Sequence, residues 1–275
     1  MDNELVERAA APGLRRHIQR YVGYAEQTVA PTRQREPPGT GVVLIFGLGP
    51  ELRVLDPARP DRPASRFGSF VGGPDDACAV IEHDGEMRGV QVDLTPLATR
   101  MIFRVPMHEL AHRVVSLEDV FGRETRLLEE RLLEAPTWGS RFGIIEATLG
   151  ARLMAAEPPP PDVEWAWRRV RSTRGQIRIE ALAAELGCSR KHLAVRFREH
   201  IGLPPKLFAR LVRFTHAVEM LLESPQASLA GVAAACGYYD QAHMDRDFRD
   251  FANTTPTAYA ADPRGRVTFV QDEAA

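Results

Sequence analysis

Two stretches of the chain carry residues whose types and spacing could do chemistry. The first is His108-Glu109-Leu110-Ala111-His112, which matches the pattern H-E-x-x-H. On a helix its two histidines would share one face and could bind zinc, with Glu109 as general base. That would make the chain a zinc-dependent hydrolase carrying a second module. The pattern is short, however, and a third ligand has only ordinary surface candidates such as Glu118 or Glu129. A polar helix opened by Pro106 explains the same residues without a metal.

The second stretch is basic. Arg190, Lys191, His192, Arg196 and Arg198 lie together, preceded by Arg168, Arg169, Arg171, Arg174 and Arg178. Across residues 163–213 twelve Arg and Lys stand against four Asp and Glu. Side chains of this kind hold phosphates and supply affinity without reading sequence. Residues 214–261 differ, with Arg246 and Arg249 against six acids. An acidic helix does not approach DNA freely. The first segment is therefore expected to carry most of the affinity, and the second weaker or selective contacts.

The elements that must position these residues repeat. IEALAAELGCSRKHLAVRFREHIGLPP, from Ile179, and LAGVAAACGYYDQAHMDRDFRDFANTTP, from Leu229, each contain an alanine-rich helix, a glycine and a second helix with an F-R pair. A helix-turn-helix needs small residues where its helices touch, met by Ala183-Ala184 and Ala233-Ala234-Ala235. It needs a permissive turn residue, met by Gly187 and Gly237. Ser189 and Asp240 stand where N-caps are wanted. Leu193 and Phe197, like Met244 and Phe248, put one face of the second helix into a core and leave the other free for a major groove. Of Trp165 and Trp167, at least one is expected to anchor the first helix in its core; stacking on bases is the alternative.

Upstream, Glu157-Pro158-Pro159-Pro160-Pro161-Asp162 reads as a stiff, non-helical spacer. Before it, residues 124–155 repeat leucine and isoleucine at helical spacing and predict two amphipathic helices, packed either on their own domain or between subunits. Residues 1–122 read as mainly β. Strand candidates are 42–46, 52–55, 67–71, 78–82 and 87–94, and Asp84-Gly85 is a hairpin signal. Short strands with close turns suggest a small barrel or sandwich. His83, between Glu82 and Asp84, is expected in a polar cluster beside that turn.

The 275 residues suffice for two domains, and the net charge of -2 excludes a wholly basic nucleic-acid coat. Cys78, Cys188 and Cys236 are scattered, which fits reduced thiols better than a disulfide framework or a zinc cage. The opening MDNELVERAA has acids where a secretion signal needs a basic region. No stretch approaches the roughly 18 apolar residues of a membrane span. A cytoplasmic protein without membrane contact is expected.

Residues 163–261 resemble the two-unit DNA-binding domain of AraC/XylS-type regulators. The resemblance rests on LAAELGCSRKHLAVRFREHIGLPP, the connecting LFARLVRFTHAVEMLL and the closing GYYDQAHMDRDFRDFANTTPTAY, of which GYYDQAHMDRDF is similar to the family's most diagnostic signature. It implies two groove-reading helices joined by a rigid central one. By motif position the outward residues are Arg190, Lys191, Ala194 and Val195 in the first helix, and Gln241, Ala242, His243 and Arg246 in the second. Two departures stand out: Val195 replaces a frequent arginine, and Asn253 replaces a glycine whose left-handed angle asparagine tolerates.

The N-terminal half is more loosely similar to a cupin-like sensor domain, through REPPGTGVVLIFGLG, EHDGEMRGVQVDLTP and VTFVQD. A cupin metal site draws on several histidines from neighbouring strands, and here His83 stands alone among them. The fold expected is α+β in two domains: a β-barrel or cupin-like sensor and oligomerisation domain over 1–157 with two trailing helices, a proline-rich linker over 158–162, an all-α double helix-turn-helix over 163–261, and a tail over 262–275. The function expected is sequence-specific transcription regulation, not catalysis, with no cofactor and no bound metal. The DNA-contacting set is Ser189, Arg190, Lys191, His192, Ala194, Val195, Arg196, Arg198, Asp240, Gln241, Ala242, His243, Arg246 and Arg249. Double-stranded DNA, an unidentified small-molecule effector, RNA polymerase and a second copy of the chain are the partners implied.

Overall fold

The computed structural model describes residues 3–56, 64–224, 226–263 and 267–268. The chain opens with β1 (Glu4–Ala9), β2 (Ile18–Gln27), β3 (Thr32–Glu36), β4 (Val42–Gly47), β5 (Leu52–Leu55), β6 (Ser65–Phe67), β7 (Phe70–Gly72), β8 (Ala79–His83) and β9 (Glu86–Leu94). There follow α1 (Pro96–Phe103), α2 (Met107–Leu110), β10 (Val114–Ser116), α3 (Leu117–Phe121), α4 (Glu124–Glu134) and α5 (Trp138–Met154). The strands form two antiparallel sheets, one in the order β1-β2-β9-β4-β7-β10, the other β11-β3-β8-β5-β6, where β11 is Val267–Thr268 near the C-terminus.

The run Val42–Phe46 shows why the sheets stack. Val42, Leu44 and Phe46 point into a core shared with Phe142, Ile145 and Leu149 of α5. Ile45 and its neighbour Val43 point the other way, into a core shared with Leu52, Val54 and Ile81 of the second sheet. A strand with both faces covered reads as a continuous apolar run, and β4 is the middle of three layers: helices, first sheet, second sheet. Among the described residues no strand pairs across the two sheets, so the layers form a sandwich rather than a closed barrel. Helices α4 and α5 bury Leu128, Leu132 and Leu153 in the same core, while Leu127, Leu133 and Met154 stay exposed.

The expected strand over 67–71 is broken at Gly68-Ser69 into β6 and β7, which belong to different sheets. Glu82 and His83 end β8 directly before the Asp84-Gly85 turn, as the sequence suggests. Both are buried on β8, and Glu82 sits between the guanidinium groups of Arg33 and Arg53, the latter at 3.1 Å.

The remaining elements are helical: α6 (Pro161–Ser172), α7 (Ile179–Glu185), α8 (Arg190–Ile201), α9 (Pro205–Glu223), α10 (Leu229–Ala235), α11 (Gln241–Ala252) and α12 (Pro256–Ala261). The proline stretch is shorter than its sequence suggests. Pro161 and Asp162 are already the first residues of α6, because a proline at the first helical position gives up only an N–H that has no partner there. Beyond α12 the chain returns to the sandwich, where β11 pairs antiparallel with β3, Val267 opposite Arg33. Of the VTFVQD ending only Val267 and Thr268 fall within the described residues.

Candidate nucleic-acid interface

The two helix-turn-helix units are built alike. In the first, α7 turns through Gly187 (φ +64°) into α8; in the second, α10 turns through Gly237 (φ +75°) into α11. Positive φ at these turns suits glycine, which lacks the Cβ that strains other residues there. The Ser189 hydroxyl accepts from the His192 N–H at 3.1 Å, and an Asp240 carboxylate oxygen accepts from the His243 N–H at 2.7 Å. Each second helix thus begins at a capped, fixed point. Asn253 ends α11 in the left-handed region at φ +51°.

The anchors lie where the apolar spacing puts them. Leu193 and Phe197 of α8 share a core with Trp167, Leu182 and Phe208. Met244 and Phe248 of α11 share another with Phe214, Val232 and Phe251. The central helix α9 contributes to both cores, so it sets the spacing of the units. Trp167 is buried and Trp165 is partly exposed.

The opposite faces remain open. Ser189, Arg190, Lys191, His192, Val195 and Arg198 are exposed on the first unit, with Ala194 and Arg196 half-buried. Asp240, Gln241, Ala242, Arg246 and Arg249 are exposed on the second, with His243 half-buried. Among the described residues neither face is covered by the sandwich.

Charge is distributed less simply than the totals imply. Arg190 pairs with Glu180 at 2.8 Å, and Arg196 with Asp162 at 2.8 Å, so two cations of the first unit already have acid partners. Lys191 and Arg198 keep their exposed positions. In the second unit, two of the acids that made α11 look repulsive turn toward α9. Asp247, buried, and Asp250 both accept from the Arg210 guanidinium, at 2.6 and 2.7 Å. The acidic excess counted over residues 214–261 therefore overstates the repulsion at α11, since Arg210 neutralises part of it from below. Sequence reasoning also passed over Tyr239, whose side chain stands almost fully exposed one residue before the α11 cap.

The N-terminal domain meets the first unit at the C-terminal end of α8. Leu97 of α1 enters the core formed by Phe197, Ile201 and Phe208. Arg100 of α1 pairs with Glu199 of α8 at 3.0 Å. His200, buried at this seam, has its pKa pushed down by burial first and by Arg100 next. Gly202, which caps α8 at φ +91°, lies so close to the sandwich that a Cβ there would be 2.6 Å from Pro74 Cγ and 3.0 Å from the Met107 carbonyl oxygen.

The H-E-x-x-H stretch does not form the zinc face that its letters suggest. The helix α2 ends at Leu110, Ala111 is extended, and His112 is left-handed at φ +58°. His108 is exposed, whereas His112 turns its Nδ1 to Asp75 Oδ1 at 3.0 Å and Asp76 Oδ1 at 3.1 Å. Hydrogen bonds to the two aspartates raise the His112 pKa to about 9. The two histidines thus serve different surroundings, and the hydrolase geometry is not present.

Two capped helix-turn-helix units flanking one long helix, joined to an antiparallel sandwich, define a two-domain architecture with a double helix-turn-helix module. Residues 182–262 match a family model described as a helix-turn-helix domain, and residues 6–116 match one described as a domain of unknown function. The matched stretch runs from α7 to just past α12, so it takes in both helix-turn-helix units. It is 35% identical over 81 residues to an uncharacterized HTH-type transcriptional regulator of Haemophilus influenzae, covering 30% of this chain and 27% of that protein. The match thus spans about a quarter of that curated relative. Two structures of ToxT from Vibrio cholerae strain SCE256 share the fold. The apo variant covers 92% of this chain and 99% of its own, at 9% identity and a TM-score of 0.51. The form with an unsaturated fatty acid bound covers 92% and 96%, at 9% identity and a TM-score of 0.50. Among the described residues no helix is long and apolar enough to cross a membrane.

Proposed function

We propose that this chain is a sequence-specific transcription regulator that binds double-stranded DNA by laying α8 and α11 into neighbouring major-groove segments. The observation that carries this reading is the repeated construction: two helices capped at the same position, anchored on one rigid helix, each with its polar face open. In the first unit Arg190, Lys191, Ala194 and Val195 face base edges, with Ser189, His192, Arg196 and Arg198 toward the backbone. In the second, Gln241, Ala242, His243 and Arg246 face bases, flanked by Asp240 and Arg249. Val195 offers a methyl surface rather than a hydrogen-bond donor, which suits contact with a thymine methyl. The chain acts by binding, not by catalysis.

The sandwich is the sensor half in this reading. An effector changes DNA occupancy only through unequal affinity for two arrangements of the domains. A cavity of about 250 Å³, lined by Leu14, His17, Met101, Met154, Pro159 and Glu164, spans the sandwich, the proline stretch and α6, so a small molecule there would touch both sides. RNA polymerase is the protein partner that activation calls for. A second copy is not required for two-segment reading, since both reading helices lie on one chain. Genome-wide mapping of sites bound by the full chain tests the proposal. A recurrent motif with two conserved blocks is expected; bound fragments without a shared sequence would overturn it.

A further inference from the structure

The His112 imidazole and the Asp75 and Asp76 carboxylates come from two loops, β7–β8 and α2–β10, that meet at the edge of the sandwich. One ligand atom from each of the three residues lies within 4.8 Å of the other two. The separations from His112 Nδ1, 3.0 and 3.1 Å, are those of its hydrogen bonds to the two carboxylates, and an ion bound there releases the Nδ1 proton and takes its place between the same three atoms. Donors bonded at about 2.1 Å to a six-coordinate ion stand about 3.0 Å apart when adjacent. The two edges that meet at His112 thus have the length of adjacent octahedral positions, and the third, between the two carboxylates, lies within 4.8 Å. One nitrogen and two carboxylate oxygens make a borderline-hard set, suited to first-row divalent ions. Asp75 is also oriented, because its Oδ1 accepts from the Asp76 and Ala77 N–H groups at 2.7 and 3.2 Å.

A second observation points to a ligand. Asp75 and His112 line a cavity of about 360 Å³ whose other walls include Val54, Phe67, Cys78 and Val114. Three protein donors leave coordination positions for water or an exogenous group, and the cavity supplies the room for them. The location matters as well. Pro74 and Ala111, the residues immediately before Asp75 and His112, meet Gly202 at the end of α8 together with the Met107 carbonyl. The His112 N–H donates to the Pro74 carbonyl at 3.0 Å, which ties the two loops together.

We propose that Asp75, Asp76 and His112 bind one first-row divalent transition-metal ion, and that the ion fixes the two loops on which the C-terminal end of α8 is seated. Metal occupancy then biases the arrangement of the first reading helix against the sandwich. The site stands on its own geometry, whereas its effect on DNA rests on the function proposed above.

The test uses the full chain, stripped with a chelator and titrated with Zn²⁺ and Mn²⁺ separately, with Mg²⁺ as the hard-ion control. About one ion per chain is expected for the transition metals. Asp76→Asn and His112→Asn should each weaken binding by about tenfold or more. Asparagine at 112 tolerates the left-handed backbone, and unfolding curves establish that both variants remain folded. His108→Ala should leave binding unchanged. Absence of stoichiometric binding overturns the site, as does a loss on His108→Ala equal to that on His112→Asn. If the metal binds as described but DNA affinity is the same in the stripped and loaded chains, the coupling is wrong and the site stands. If neither form binds DNA, the functional reading has failed, and the titration still decides the site.

Discussion

Substituting Gly202 measures how closely the sandwich and the first DNA-binding unit are fitted together. Gly202→Ala places a side chain on a backbone at φ +91°, which costs about 1–2 kcal/mol for an L-residue. The new Cβ also meets Pro74 Cγ at 2.6 Å and the Met107 carbonyl oxygen at 3.0 Å. Overlap of this kind in a packed interior costs about 1–3 kcal/mol. The sum, about 2–5 kcal/mol, is large against a typical domain stability of about 5–15 kcal/mol. The two contributions separate in a double-mutant cycle. Pro74→Ala removes the ring atom at the shortest contact and leaves the backbone cost of Gly202→Ala untouched, so the second substitution should be about 1–2 kcal/mol milder in that background. Urea unfolding followed by tryptophan fluorescence gives the four free energies, with Trp167 reporting the core that Leu97 enters. Equal costs for Gly202→Ala in both backgrounds would refute the close approach and the seam with it.

Further expectations follow from the charged and capping residues. His112 has a folded-state pKa near 9, above its ordinary value of 6.5, so its ion pair stabilises fully below pH 6.5 and fades as the pH rises through 9. That displacement sets a ceiling of about 3 kcal/mol, and solvent screening of a ring one-third exposed reduces it to about 1 kcal/mol. Metal-free protein should therefore lose that much between pH 6 and pH 10, and His112→Asn should flatten the dependence. Asp247→Asn weakens the Arg210 pair in a buried setting and should destabilise the second unit by about 2–3 kcal/mol, read by urea unfolding. Asn253→Ala should cost about 1 kcal/mol at the left-handed end of α11, while Asn253→Gly should be neutral within a few tenths. Arg198→Ala should lower DNA affinity for all sequences and reduce the salt slope by about 1. Lys191→Ala should lower affinity through the first groove segment. It should cost more affinity than Arg246→Ala, which should chiefly relax sequence preference.

Much of the helical half was legible because its signals are local. Ser189 and Asp240 as caps, Gly187 and Gly237 as turns, and apolar residues four apart on α8 and α11 all act within a few positions. The buried run of β4 was legible for the same reason, since a strand covered on both faces must be apolar throughout. The strands β1 and β3 were not, because ELVERA and TRQRE are polar and owe their conformation to pairing with β2 and β8. Long-range ion pairs were equally hidden. Nothing near Asp247 in sequence announces Arg210, and nothing near Arg196 announces Asp162. The H-E-x-x-H letters misled because helix length, not composition, decides whether two histidines share a face. Here α2 stops after one turn, and His112 is recruited by two aspartates nearly forty residues away.

The central claim is that α8 and α11 enter two adjacent major-groove segments on one side of a duplex. Methylation-interference footprinting of the full chain on a selected site tests it directly, with Lys191→Ala and Gln241→Ala as variants. The account predicts two major-groove patches about one helical turn apart, roughly 34 Å, the first weakened by Lys191→Ala and the second by Gln241→Ala. A single patch, or two patches that respond identically to both substitutions, would contradict it.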